Sequence, residues 1–341
     1  MSFELYAPDF SNRYEITHAI SVQMSQYYND IGKLTLVVPV DDYNIKVVKN
    51  NAVLYDTETG ASFIVKNVKT DPSKNRITAN GYTCNWLLNK RTVASRTAVG
   101  KVESGLYNVV RSNLRSLGNV TVAEEKGYTE TTEAVLYGGQ LLDVSMPVLT
   151  EAGFGQRMVW NPDTMTHEWE IYKGRDLSSG IHAVIFSTER GTANDLIISD
   201  DTSTFKNFAY VPGELNDGSQ IVVEVGTATG EDRNEKWITS VKKQSSDETE
   251  SEFRTRLAVV GREELDKLIR RQSFSVTVDP SDYGTAYTLG DVVACSSIRY
   301  GVEFTARING VQYTLDANGK KTSLILGEPT LTILGEARLN A

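Results

Sequence analysis

Gly60-Ala61-Ser62-Phe63-Ile64-Val65-Lys66 and Gly301-Val302-Glu303-Phe304-Thr305-Ala306-Arg307 share a glycine, a phenylalanine three residues later and a basic residue three further on. In each, a turn glycine opens a run suited to a β-strand. Strand-like runs precede both, Ala52 to Tyr55 and Val292 to Cys295. A turn and an apolar strand ending in Gly81 or Gly327 follow. The match predicts two copies of one small β-barrel. Around the first copy, Leu34, Leu36 and Val38 alternate with Thr35 and Val37 up to Pro39. The turn signals Asp56-Thr57-Glu58-Thr59-Gly60 and Asp71-Pro72-Ser73-Lys74-Asn75 cut the segment into short strands, as in a small barrel or sandwich.

The pattern changes between the copies. Leu106, Val109, Val110, Leu114 and Leu117 fall at helical spacing over 104–117, with Gly118 placed to end the helix. A second helical pattern, about 140–152, contains Leu141, Leu142, Val148, Leu149 and Ala152. Pro147 inside it predicts a kink or a late start. A hairpin over 157–172 turns at Asn161-Pro162-Asp163-Thr164. Tyr82 to Arg91 reads as a possible short helix around Trp86-Leu87-Leu88. Strands at 205–211, 220–225 and 236–241 are expected to complete the first barrel. Ser246 to Arg270 reads as a helix interrupted near Gly261, with an acidic opening and Glu250–Arg254, Glu252–Arg256 and Glu263–Lys267 spaced for i, i+4 pairing. The expected fold is α+β and β-rich, with two related small β-barrel domains and an inserted α+β unit. Residues 1–95 plus 205–241 form the first barrel, 96–204 the insertion, 242–272 a helical connector and 273–341 the second barrel.

Composition narrows the function classes. The 341 residues are 40% hydrophobic and 23% charged, too apolar for a disordered chain. A formal charge of −9 argues against tight nucleic-acid binding, which relies on Lys and Arg displacing counterions. Lys242-Lys243 and Arg270-Arg271 are isolated basic pairs and form no stripe. No apolar run is long enough for a membrane span, and the start lacks a basic-then-apolar leader. Cys84 and Cys295, the only cysteines, read as buried free thiols.

The search for chemistry assigns no catalytic, cofactor-binding or metal-binding residue. The sequence has no Gly-x-Ser-x-Gly, phosphate-binding loop or His-Glu-x-x-His. His18, His167 and His182 are far apart, the last two in strand-like stretches where a packed or surface imidazole is the simpler reading. His167 shares a strand face with Trp169 and Ile171. Glu168 and Glu170 share the opposite face, and paired carboxylates are what a glycoside hydrolase uses. Acids on an exposed strand are the simpler reading, as are buried anchors for Trp160 and Trp169.

At Tyr172-Lys173-Gly174-Arg175-Asp176-Leu177-Ser178, followed by a strand ending Phe186-Ser187 and then Asn194-Asp195-Leu196, the chain resembles the tail-hub family of siphophage-like tails. That family includes the structural N-terminal module of tail-associated lysins and is related in fold to the baseplate hub of contractile tails. Tyr28-Asn29-Asp30-Ile31-Gly32 leading to Leu34-Thr35-Leu36 and Pro39, Asn80-Gly81 with Leu87 to Arg91, Asn207 to Val211, and Tyr287-Thr288-Leu289-Gly290-Asp291-Val292-Val293 carry the likeness along the chain in order. Pro147 departs from the uninterrupted helix usual there.

The resemblance implies a virion protein assembled in the host cytoplasm. It would form a homotrimeric ring of four-domain subunits between the distal tail protein ring and a tip fibre, spike or lysin, with the tape-measure protein ending in its channel. Lysin members carry their enzyme in a C-terminal extension. This sequence stops at Ala341, so no enzyme is expected. Six similar barrels per trimer, about 60° apart, would let a threefold hub mate with a sixfold tail ring. The acidic charge suggests a lumen that does not hold DNA. The alternatives are a peptidoglycan or glycan hydrolase using Glu168 and Glu170, and a carbohydrate-binding adhesin using Trp160, Trp169 and tyrosines.

Overall fold

The computed structural model describes residues 3–117, 119–268, 271–279, 282–299 and 301–331, so Gly118, Arg270 and the last ten residues of the expected second barrel lie outside the described residues. Residues 1–197 and 274–341 form one compact unit and 198–273 another. The first unit starts with β1 (Phe3–Tyr6), β2 (Arg13–Ile16), β3 (Ser21–Tyr27), β4 (Lys33–Val38), α1 (Asp42–Val47), β5 (Val53–Asp56), β6 (Ser62–Asp71) and β7 (Arg76–Thr83). A 3-10 turn at Cys84–Lys90 stands at the short helix expected around Trp86. Next come β8 (Thr97–Lys101), α2 (Val102–Asn113), β9 (Val120–Val122), β10 (Thr131–Leu136), α3 (Leu141–Glu151), β11 (Gly155–Asn161), β12 (Thr166–Tyr172), β13 (Ile185–Phe186) and β14 (Asp195–Asp201). The second unit holds β15 (Phe208–Glu214), β16 (Gln220–Val225), β17 (Glu235–Trp237), β18 (Lys242–Lys243) and α4 (Glu250–Asp266). The chain then returns through β19 (Arg271–Val278), β20 (Val292–Ser297), β21 (Val302–Asp316) and β22 (Gly319–Leu331).

The same strand order occurs twice, as β3-β4-β7-β6-β5 and as β14-β19-β22-β21-β20. Phe63 and Phe304 lie on the same strand of that order but not at the same register: Phe63 stands two residues before the bulge at Val65/Asn67, Phe304 four residues before the bulge at Ile308/Gly310. Each is fully buried on the middle strand of a triplet, Phe63 between Leu54 and Thr83, Phe304 between Cys295 and Leu331. A bulge follows in each middle strand, between Val65 and Asn67 and between Ile308 and Gly310. The two runs do not close into separate barrels. Residues 310–315 of β21 pair antiparallel with β3, which joins both runs into one open 13-stranded sheet. Bulges bend a strand and redirect its pairing. On the edge facing away from β22, β21 pairs with β20 before the Gly310 bulge and with β3 after it. One core therefore holds Leu36, Phe63 and Val65 of the first run with Phe304, Ile308 and Leu324 of the second.

A second core lies under α2, α3 and the β11–β12 hairpin. It contains Leu106, Val109 and Val110, then Leu141, Leu142 and Leu149, then Trp160 and Trp169. Helix α3 runs from Leu141 through Pro147, so it does not start late. Gly153, at φ +73°, ends it in the left-handed backbone region that glycine adopts without strain.

The strands expected to complete the first barrel instead pair with one another. β15 lies between β16 on one side and β17 and β18 on the other, in a sheet of their own. Helix α4 covers that sheet, so 242–272 is more than a connector. Phe253, Leu257 and Gly261, four residues apart, form its buried stripe against Val211 and Val225. Gly261 does not interrupt the helix. A Cβ there would lie 2.6 Å from Val225 Cγ2 and 2.9 Å from Val211 Cγ2, so glycine permits the close approach. Of the expected ion pairs, Glu250–Arg254 forms. Glu252 caps the helix with Thr249, leaving Arg256 to Glu248, and Lys267 takes Glu264. Capping displaces the i, i+4 pair because Glu252 lies within reach of an otherwise unpaired backbone N–H of the first turn.

Overpacking at this contact predicts that Gly261→Val destabilises the second unit by about 1–3 kcal/mol, the usual cost of forcing methyl groups into a filled interface. Urea unfolding, read with hydrogen exchange over 250–266, measures it.

Candidate functional site

The segments that carry the family resemblance lie far apart in sequence, and three of them, at 28–32, 172–178 and 287–293, meet at one joint in the first unit. Asp291, only 1% exposed, stands immediately before β20. A buried carboxylate must be supplied with donors or it destabilises the fold. Arg175 N–H donates to its Oδ1 at 2.7 Å and Arg175 Nη2 to its Oδ2 at 2.6 Å. Thr288 N–H donates to Oδ2 at 2.9 Å. The carboxylate beside it holds the Arg175 guanidinium above its ordinary range. Backbone bonds continue the tie: Val292 N–H donates to the Arg175 carbonyl and Leu177 N–H to the Val292 carbonyl.

Two glycines allow the approach. A Cβ on Gly174 would lie 1.9 Å from the Gly290 carbonyl oxygen, and Gly290 adopts φ +95° against the Tyr28 ring. The Tyr28 hydroxyl reaches the carbonyls of Gly153 (3.1 Å) and Tyr172 (3.2 Å), and the two tyrosine rings meet edge to face at 5.3 Å. Arg307 lies over Tyr28 and donates to the Gly290 carbonyl at 2.7 Å. Just after Tyr28, Gly32 N–H donates to Thr83 Oγ1 and ties the β3–β4 connection to the end of β7.

The candidate residues for chemistry are differently placed. Glu168 is exposed, whereas Glu170 is buried and bridges Lys126 Nζ (3.1 Å) and Arg157 Nε. The pair therefore shares a face but not an environment, and Glu170 ties the segment before β10 to β11. Trp160 and Trp169 are both buried, which removes them as a sugar platform. Trp160 stacks on Phe10 at 5.2 Å, and Trp169 Nε1 donates to Gln156 Oε1 at 2.9 Å. His167, 1% exposed, packs 4.5 Å from the Trp160 ring, neither ring nitrogen has a hydrogen-bond partner, and burial pushes its pKa down to about 3. His18 is exposed, and His182 lies in an exposed turn where a strand was expected.

Cys84 and Cys295 are free and buried, and burial pushes both thiols up to about 12, which keeps them protonated and poor as nucleophiles. Cys84 lines a cleft of about 400 Å³ with Asn85, Gln156, Arg157 and Tyr172. Among the described residues, no cluster of His, Cys, Asp and Glu could hold a metal ion.

Sequence reading missed Glu103. Its buried carboxylate accepts the backbone N–H groups of Lys126 (2.7 Å), Gly127 and Tyr128 (both 2.9 Å). The signal was present, since Glu103 stands in line with Leu106 and Val110 on the apolar stripe of α2.

Removing Asp291 leaves several donors unpaired, whereas removing Arg175 leaves the carboxylate its backbone donors. Asp291→Ala is therefore expected to cost about 3 kcal/mol, as for a broken buried pair. Arg175→Ala, at a side chain 55% exposed, should cost about 1 kcal/mol. Thermal unfolding of both variants checks the order.

His167 generates a pH effect. Its folded pKa lies below the unfolded value, so the unfolded chain binds the proton first and stability falls as pH drops below about 6.5. Urea unfolding should give about 2 kcal/mol less stability at pH 5 than at pH 8. His167→Leu should remove that slope.

Residues 2–328 match the family model described as Siphovirus ReqiPepy6 Gp37-like protein. Among solved structures, a tail protein from Neisseria meningitidis MC58 is similar at TM-score 0.58 and 12% identity, with 96% of each chain covered. The 43 kDa tail protein of prophage MuSo2 from Shewanella oneidensis is similar at TM-score 0.57 and 11% identity, covering 96% of this chain and 97% of the other. Prophage tail protein gp18 from Listeria monocytogenes EGD-e gives TM-score 0.51 and 14% identity, over 100% and 98%. No curated protein matches the chain.

Proposed function

The chain belongs to the Siphovirus ReqiPepy6 Gp37-like family of phage tail proteins, and from that premise we propose that it is a structural hub at the tail tip. Three copies form a ring that links the distal tail protein ring to a tip fibre, spike or lysin, with the tape-measure protein ending in its channel. The chain is no enzyme in this reading. Among the described residues no helix is long and apolar enough to cross a membrane.

The observation that carries the proposal is the strand order that occurs twice in one chain. Three copies of a chain with two similar modules offer six similar surfaces. That number matches a sixfold tail ring while each copy keeps a distinct inserted unit for partners with threefold symmetry. The use of buried acids as structural ties, at Glu103, Glu170 and Asp291, supports a scaffold role.

Mixed with the distal tail protein of its own particle, the purified chain should form stacked rings with threefold hub density in negative-stain images. The same preparation should clear no zone in a peptidoglycan gel. Failure to form rings, or a lytic zone that Glu168→Gln abolishes, would reverse the proposal.

A further inference from the structure

The cleft of about 400 Å³ in the first unit, which β11 shares with the segments around Asp30 and Glu58, holds a donor without an acceptor. Gln156, 1% exposed, lies on its wall. Gln156 Oε1 accepts from Trp169 Nε1 at 2.9 Å. An indole nitrogen only donates, so the atom that meets it is the amide oxygen, and the amide nitrogen faces elsewhere. That Nε2 is buried and has no hydrogen-bond partner. Buried polar groups are nearly all paired in folded proteins, and an open one on a cleft wall is the kind of group that orients a bound molecule.

The backbone beside it is turned the same way. β11 pairs with β12 along one edge, and Gln156 N–H donates off the other edge to the Tyr28 carbonyl at 2.7 Å. Alternation along an antiparallel strand then directs Met158 N–H and C=O off that edge as well, where the Ser62 hydroxyl meets the Met158 carbonyl at 3.5 Å. Gln156 N–H is already engaged and the cleft wall ends at Val159. The edge therefore takes one amide-sized group and no added strand.

Charge narrows the ligand further. Asp30, Glu58 and Arg157 are the charged side chains on the wall among the described residues. Arg157 Nε pairs with Glu170, and Glu58 pairs with Lys320 at 3.0 Å, so no cationic cluster gathers an anion. Donors come from β11 and carboxylates from the segments around 30 and 58. A trans secondary amide presents its C=O and N–H in opposite directions, which suits that division. Tyr27, Tyr172 and Tyr283 add aromatic surface, against which the C–H face of a sugar ring packs.

We infer that this cleft binds an uncharged N-acetylated sugar. The acetamido carbonyl accepts from Gln156 Nε2 and Met158 N–H, its N–H is directed to the Asp30 carboxylate, and the pyranose ring lies on the tyrosines. The inference does not depend on the ring of subunits.

Saturation-transfer NMR of the full chain with the methyl glycoside of N-acetylglucosamine should show its strongest signal at the acetyl methyl group. Methyl glucoside, which lacks the acetamido group, should bind about tenfold more weakly, the factor that one neutral hydrogen bond commonly contributes. Gln156→Leu removes the donor at similar volume and should weaken the acetylated sugar by about the same factor. Val159→Trp, at the exposed rim, should abolish binding by filling the mouth while thermal unfolding stays that of the parent chain. Where loss of the Trp169 acceptor keeps Gln156→Leu from folding, Val159→Trp decides. N-acetylalanine N-methylamide, a blocked peptide with the same amide, should not displace the sugar. Equal binding of the two glycosides, binding that survives Val159→Trp, or displacement by the blocked peptide overturns the inference. So does a chain that binds neither glycoside, since the open donor then meets water alone.

Discussion

A carboxylate taken out of water must find its hydrogen bonds inside the protein, and Asp291 finds them on residues from two distant parts of the chain. Arg175 supplies backbone and guanidinium N–H groups, and Thr288 a backbone N–H. That requirement brings the segment after the β11–β12 hairpin against the start of β20. The glycines at 174 and 290 lack the Cβ atoms that would hold these backbones apart. Tyr28 closes the joint from the first run, with its ring against Gly155 and Gly290 and its hydroxyl at the carbonyls of Gly153 and Tyr172. The two similar runs and the inserted α+β region thus share one junction, built mainly from backbone groups and fixed by a single buried charge.

The two runs differ mainly in what lies between their first two strands. In the first, residues 28–32 connect β3 to β4. In the second, the chain between β14 and β19 makes a complete four-stranded sheet with its own covering helix and core. A hairpin connection is where an insertion costs least, because the strands it joins keep their pairing and loop-closure entropy grows slowly with length. The result is a repeated sheet with an unrepeated addition.

The acids of this chain act as ties. Glu103 gathers three backbone N–H groups, Glu170 bridges two cations, and Glu252 completes a helix cap. Each was visible in the sequence only as an acid among apolar or acidic neighbours. Glu168 and Glu170 show why spacing alone misleads: alternation places them on one strand face, but Lys126 and Arg157 converge on only one of them. Lys126 reaches the site through a fold that strand periodicity does not encode.

Local pattern decided much of this protein. The glycine-to-phenylalanine match at 60–66 and 301–307 marked the repeated strands, and apolar spacing marked α2, α3 and α4 to within a few residues, because side-chain periodicity is imposed by the backbone itself. Burial of Trp160, Trp169 and both cysteines followed from their apolar bulk. Tertiary structure alone decided which strands share a sheet. The strands at 208–243 look no different from others in sequence, yet they pair among themselves beneath α4, and β21 crosses to β3 where an end to the barrel was expected. Strand pairing depends on edges brought together from distant parts of the chain, and a bulge or a close glycine contact can redirect it without leaving a periodic trace. The same reason hid the role of Asp291: a Gly-Asp turn is common, and only the arrival of Arg175 makes it the centre of a joint.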